Sequence, residues 1–210
     1  MALAPSQSAL TSYDQLVAAL AHFADREDLN SYWPNYIVLF ETWANRTLRV
    51  RQMETSAPIT MAAGVGQLPA DYLQWRAVLW QGSEAFPLEF ADRNWLQWQY
   101  PSAPQGQPGY FTIEGKTLSV MPTDDNTLLL KYYQKIPALS PDNQDTQWLF
   151  NEHPDLYVAG ALVEAMTVIQ DGERLGVWSQ KRNGIATDII QLAQKGKSPG
   201  AIRLKDVVTP

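Results

Sequence analysis

Glu152, His153, Asp155 and Glu164 are residues whose types could hold a metal ion or move a proton, and all lie within "QWLFNEHPDLYVAGALVEA". A metal site needs three or four ligands converging on one point. The chain has only two histidines, and the other, His22, falls in a different predicted helix. Asp155 and Glu164 are nine positions apart, which puts them on opposite faces of a helix. Neither HExxH nor HxxEH spacing occurs. The same residues suit a plainer role. Pro154 fits the first turn of a helix, Asp155 complements its positive end, and Asn151 or His153 is placed to cap it. Residues 156–169 are almost all apolar or small, so the helix is expected to be buried on most sides. Ala159, Gly160 and Ala161 would let a neighbouring element approach closely. Glu164 is the exception: once buried it needs a partner, and Arg174, Lys181 or Arg182 could supply it, with an exposed Glu164 as the alternative.

Other chemistry-bearing patterns are weaker. The tripeptide "HPD" resembles the J-domain signature of co-chaperones, but there a strongly basic helix precedes it, whereas "SPDNQDTQWLFNE" is acidic and loop-like. "GVGQLP" lacks the lysine of a phosphate-binding loop, and no GxSxG elbow is present. Asp124, Asp125 and Asn126 read as turn chemistry without EF-hand spacing. No catalytic set and no cofactor or metal site is expected, and the chain is read as a non-enzyme. The tryptophans pose a different question, since aromatics on a sheet serve as sugar platforms or protein anchors. Alternation puts Trp75 with the apolar face and Trp80 on the opposite one, so Trp80, Trp95 and Trp98 are the candidates for contact with a partner.

The elements that must position these residues change period along the chain. Ser12 and Gln15 form a capping-box pattern, followed by Leu16, Leu20 and Phe23 on one helical face. Pro34 opens a second helix with Ile37, Phe40, Trp43, Ala44 and Leu48 as its buried stripe, and Arg46, Arg49 and Arg51 at its negative end. From Pro58 the pattern becomes that of strands. "DYLQWRAVLWQG" alternates Leu73, Trp75, Ala77 and Leu79 against Tyr72, Gln74 and Arg76. "EAFPLEF" is a second strand with Phe86, Leu88 and Phe90 to one side, and "ADRNWLQWQ" a short helix. "YFTIEGKTLSVM" and "LLLKYYQKIP" read as a meander turning at Glu114–Gly115 and at "PTDDNT". Helical period returns from Pro154 to Gln170, breaks at Asp171–Gly172, and resumes with Leu175, Trp178, Ile185, Ile189 and Leu192. Gly196–Pro210 carries no strong period and is expected to be extended. The expectation is an α+β fold in which N- and C-terminal helices form a bundle around an antiparallel β-rich insertion. Its parts are 1–57, N-terminal helices; 58–140, β insertion; 141–195, C-terminal helices; and 196–210, an extended tail.

Composition limits the function classes. The 210 residues are 45% hydrophobic, 11% aromatic and 18% charged, enough to bury a sizeable core. A formal net charge of −6 argues against general nucleic-acid affinity, which needs cations to displace phosphate counterions. The absence of cysteine excludes disulfides, CxxC redox chemistry and thiolate zinc. The N-terminus has no signal-peptide pattern and no segment reads as a membrane span, so a soluble protein folded in a reducing cytoplasm is expected.

"YDQLVAAL…FETWANRTLR" resembles the opening helices of head-to-tail adaptor (connector) proteins of short-tailed and related bacteriophages. "QLPADYLQWRAVLW" is similar to their first strand. "LLLKYYQKIPALS" followed by "WLFNEHPDLYVAGALVEA" resembles their passage from strand to helix and is the most specific stretch. The likeness runs from about residue 12 to 194. It implies a structural virion protein at the head–tail interface, assembled in the host cytoplasm. It also implies self-association into a ring, usually twelve-fold, docking to the portal protein, a platform for tail or nozzle proteins, and transient DNA in the channel. It further implies a C-terminal segment that grips the portal or a neighbouring subunit, for which Ile202, Arg203, Leu204, Lys205, Val207 and Val208 are the candidates. A carbohydrate-binding or wall-degrading protein working through the aromatic β region is the alternative reading.

Overall fold

The computed structural model describes residues 10–82 and 85–195. The fold is mixed α+β, and the chain divides into two compact units. One joins Met1–Arg51 to Ile136–Pro210, and the other is Gln52–Lys135. No helix among the described residues is long and apolar enough to cross a membrane.

The first unit is helical: α1 (Tyr13–Ala24), α2 (Trp33–Thr47), α4 (Trp148–Glu152), α5 (Pro154–Val168) and α6 (Gly172–Lys195). At α1, Ser12 Oγ accepts from the Gln15 N–H at 3.2 Å. The reciprocal half of the capping box does not form, because Gln15 Oε1 accepts from the Thr11 N–H at 2.9 Å instead. Leu16, Leu20 and Ala24 are buried, but Phe23 is exposed and meets Trp178 edge-on at 5.7 Å. In α2, Trp33, Ile37, Phe40 and Ala44 are buried as a stripe, and Trp43 lies at its margin. Neither Asn151 nor His153 caps α5 with its side chain. His153 is the backbone joint between α4 and α5, its N–H donating to Leu149 O and its carbonyl accepting from Leu156. α5 is buried on most sides, as its composition requires, and packs against α1, α2, α4 and α6. α6 is only shallowly buried: Ala186 and Ile189 are covered while Leu192 is exposed.

The second unit holds two four-stranded sheets and the short helix α3 (Arg93–Gln99). One sheet has the order β1-β8-β3-β4, from Glu54–Ile59, Leu128–Gln134, Tyr72–Gln81 and Ala85–Pro87. The other has the order β2-β7-β6-β5, from Val65–Gln67, Thr117–Met121, Tyr110–Glu114 and Glu89–Phe90. Strands β1 and β2 were not expected from periodicity. The expected meander is also corrected. β6 and β7 form a hairpin around Gly115, whose φ of 58° suits glycine. β8 then leaves for the other sheet, between β1 and β3. "EAFPLEF" likewise splits: β4 pairs with β3, β5 pairs with β6, and the buried Leu88 sits between them. The two sheets enclose one core that includes Val78, Trp80, Leu88, Phe111, Leu118, Val120, Leu128 and Leu130.

Strand β3 overturns the expected placement of Trp80. Its pairing with β8 slips between Tyr72 and Gln74 and again between Trp75 and Ala77. Each slip sets two residues of β3 against one step of β8, so the alternation of faces reverses there. Trp75, Val78 and Trp80 therefore pair with Tyr132, Leu130 and Leu128 on one face. Trp80 is only 8% exposed, and its Nε1 donates to Asp124 Oδ2 at 2.6 Å. Trp75 shares that face at its rim and is 36% exposed.

Candidate assembly surfaces and the buried clasp behind them

In the helical unit, α2 carries a carboxyl group into the core. Glu41 is 4% exposed, in line with Ile37, Ala44 and Leu48. Its Oε1 accepts from the Leu139 N–H at 2.7 Å and from the Tyr157 hydroxyl at 3.0 Å. Gln147 Nε2 in turn donates to the Tyr157 hydroxyl, and Gln147 Oε1 accepts from the Phe150 N–H at 2.7 Å. No lysine or arginine pairs with Glu41 among the described residues. Burial raises the Glu41 carboxyl above its ordinary range, against the opposing pull of Leu139 and Tyr157. Burial, reinforced by Glu41, pushes the Tyr157 phenol up as well, so it stays a donor. The clasp ties α2 to α5 and to the connection before α4. Beside it Phe40 meets Tyr157 edge-on at 4.9 Å and lies against Gly160.

Glu164 has a settled place. Of the three proposed partners, Arg182 reaches it, Nη1 to Oε1 at 3.6 Å, while its guanidinium lies 4.2 Å from the centre of the Trp43 ring. Burial lowers the Arg182 pKa, and Glu164 opposes that shift. Arg174 instead donates to Ala24 O at the end of α1, and Lys181 lies over Trp178. Glu164 and Arg182 thus join α5 to α6, with Trp43 of α2 as the third wall. His153 Nε2 lies 4.0 Å from Glu152. Among the described residues, no three His, Cys, Asp or Glu converge as a metal site would require.

The surfaces are more apolar than these interiors need. On the helical unit Val38 and Leu39 of α2, Phe23 of α1, Val168 of α5 and Val177 and Leu192 of α6 are exposed. On the β unit Trp75 stacks on the exposed Phe90 at 5.7 Å and 14°. On α3, Trp95 is exposed although it rests edge-on against Tyr110 at 5.0 Å, and Trp98 is 77% exposed. Exposed large apolar side chains of this kind mark association surfaces when they occur together. Of the three predicted tryptophan contacts, Trp95 and Trp98 are at the surface and Trp80 is in the core. Trp75 and Phe90, which strict alternation would place with the interior, are exposed as well. Ile202, Arg203, Leu204, Lys205, Val207 and Val208 lie outside the described residues.

Sequence reasoning missed Glu41. The signal was its position within the apolar stripe of "IVLFETWANRTL", flanked by Phe40 and Trp43, where an ordinary surface glutamate would not fall.

Comparison with curated proteins returned no match. The family model described as SU10 adaptor protein matches residues 11–203, which takes in the described helices and strands of both units. With that match over most of its length, the chain belongs to the SU10 adaptor protein family, a family of bacteriophage head-to-tail adaptors.

Proposed function

We propose that this chain is the structural ring that joins the portal to the tail. Its N- and C-terminal helices form the bundled body of each subunit, twelve copies close around the channel, and DNA passes through without being held. The ring stands at the head–tail interface of the virion after assembly in the host cytoplasm. The observation that carries this reading is the adaptor family match across residues 11–203. The exposed apolar side chains of the helical unit give subunits something to bury against one another, and the net charge of −6 suits a lining that lets DNA slide. The chain mixed with its cognate portal is expected to form rings visible by negative-stain microscopy. A chain that stays monomeric and does not co-sediment with the portal would refute the reading.

Two contacts are proposed on either side of that ring. The segment from Gly196 onward, through Ile202, Arg203, Leu204, Lys205, Val207 and Val208, grips the portal or a neighbouring subunit. Trp95 and Trp98 face tail or nozzle proteins. One co-sedimentation series separates them. Truncation at Gly196 is expected to weaken portal attachment without altering thermal unfolding. Paired Trp95→Ala and Trp98→Ala are expected to spare portal attachment and weaken recruitment of the tail. Unchanged portal attachment in the first arm, or unchanged tail recruitment in the second, removes the corresponding contact.

A further inference from the structure

The sheet that carries the β6–β7 hairpin has two faces, and they differ in kind. Phe111, Leu118 and Val120 point into the core. Thr112 and Ser119 are direct cross-strand partners, so their side chains share the other face. α3 lies over that face: Trp95 packs on Tyr110, and Arg93 Nη1 pairs with Glu114 Oε2 at 2.7 Å. Between helix and sheet is a cavity of about 390 Å³, floored by Thr112, Ser119 and Met121 and walled by Leu96, Gln97 and Tyr100.

The polar groups in this cavity are unspent. Thr112 is 4% exposed, yet its hydroxyl has no hydrogen-bond partner among the described residues, and the same holds for the Ser119 hydroxyl and the Gln97 amide. The Thr112 hydroxyl is not sealed in the interior but opens onto space that a ligand can fill. A handful of convergent polar groups in a mostly apolar cavity is the usual make-up of a small-molecule site, and the volume falls within the roughly 300–1,000 Å³ of such sites. Among the described residues that line it, the one charge, Arg93, is already matched by Glu114. The ligand is therefore neutral. It must also present both an apolar face, for Leu96, Met121 and the Tyr100 ring, and several hydroxyl or amide groups, for Thr112, Ser119 and Gln97.

We infer that the cavity between α3 and the β6–β7 hairpin binds one neutral pyranose unit, with hydroxyls bonded to Thr112, Ser119 and Gln97 and a ring face against Tyr100. A pyranose has this combination of a C–H face that packs on aromatics and a rim of donors and acceptors. Such a site would let the β unit engage a neutral glycan independently of ring assembly.

Ligand-observed saturation-transfer NMR on the full chain, with glucose, galactose and N-acetylglucosamine as separate probes, tests this. At least one sugar is expected to receive saturation. Thr112→Val keeps the shape of the side chain and removes the hydroxyl, so binding should fall roughly five- to tenfold, the worth of one lost hydrogen bond. Gln97→Ala, at an exposed position, should weaken binding to a similar extent with the thermal transition unchanged. Transfer to none of the three sugars would overturn the inference. So would binding that is equal in wild type and in both variants, which would place the sugar elsewhere. Binding of phenol in preference to every sugar would also overturn it, by showing that the cavity takes an apolar side chain.

Discussion

Replacing Gly160 by alanine is expected to destabilise the protein, although alanine is the better helix former. A Cβ built at this position falls 1.9 Å from Cδ2 of Phe40, closer than any real contact. Phe40 has little room to yield, because it is fully buried and held edge-on against Tyr157 at 4.9 Å. Overpacking a close-packed core costs about 1–3 kcal/mol or more, while alanine for glycine in a helix returns about 1 kcal/mol. With a clash this close the upper end of that range applies, and the net loss of about 2 kcal/mol corresponds to a fall in Tm of roughly 4–8 °C for a chain of this size. Phe40→Leu in the Gly160→Ala background should recover part of the loss, a non-additivity expected only of residues in contact. A Tm equal to or above wild type for Gly160→Ala would show that α2 and α5 can separate freely. The close approach that a run of small residues permits would then not be in use.

The second large effect is expected at Glu41. Glu41→Ala leaves the Leu139 N–H without its acceptor and deprives the Tyr157 hydroxyl of one in a site closed to water. Each stranded group costs about 1–3 kcal/mol, so a loss of about 3 kcal/mol or more is expected by chemical denaturation. Glu41→Gln separates the hydrogen bonds from the charge. The glutamine oxygen can still accept from Leu139 and Tyr157, so this variant should be far milder. The pH dependence then distinguishes them. Because burial raises the folded-state pKa of Glu41, the folded protein holds this proton more tightly than the unfolded chain does. The stability it contributes is full below the ordinary carboxylate range and is lost as pH rises through the raised value. Glu41→Gln should flatten that part of the stability profile. Identical profiles for wild type and Glu41→Gln would mean that the carboxyl titrates normally and that the site is wetter than its geometry implies.

Both predictions depend on the same seam, where α2 meets α5, and this bears on the proposed function. Assembly onto a portal requires a subunit that keeps its shape while exposing apolar side chains such as Val38 and Leu39. On α2 the buried stripe and the clasp occupy one side, and the exposed pair lies on the other. A subunit weakened at Gly160 or Glu41 is therefore expected to fail in assembly through loss of fold rather than loss of contact. Thermal unfolding of the isolated chain tells the two apart.

The longer helices, several of the strands and the family are legible in the chain itself. Capping residues, prolines at helix starts and period-3.6 stripes placed α1, α2, α5 and α6, because helix signals are carried within a few turns of chain. The order of "YDQLVAAL", "QLPADYLQWRAVLW" and "WLFNEHPDLYVAGALVEA" identified the adaptor family that the match over residues 11–203 shows. For Glu164 the sequence left Arg174, Lys181, Arg182 or exposure open, and it is the packing of α6 back along α5 that brings Arg182 to it. What the sequence left undecided were the properties set by distant partners. Trp80 went into the core because β8, about fifty residues on in the chain, pairs with β3 through two slips that reverse its faces, and alternation read along one strand cannot contain that information. Glu41 is buried because its acceptor capacity is used by Leu139 and Tyr157, 98 and 116 positions away. Only the tertiary structure brings such groups together, since a buried polar atom is tolerable only where partners converge on it.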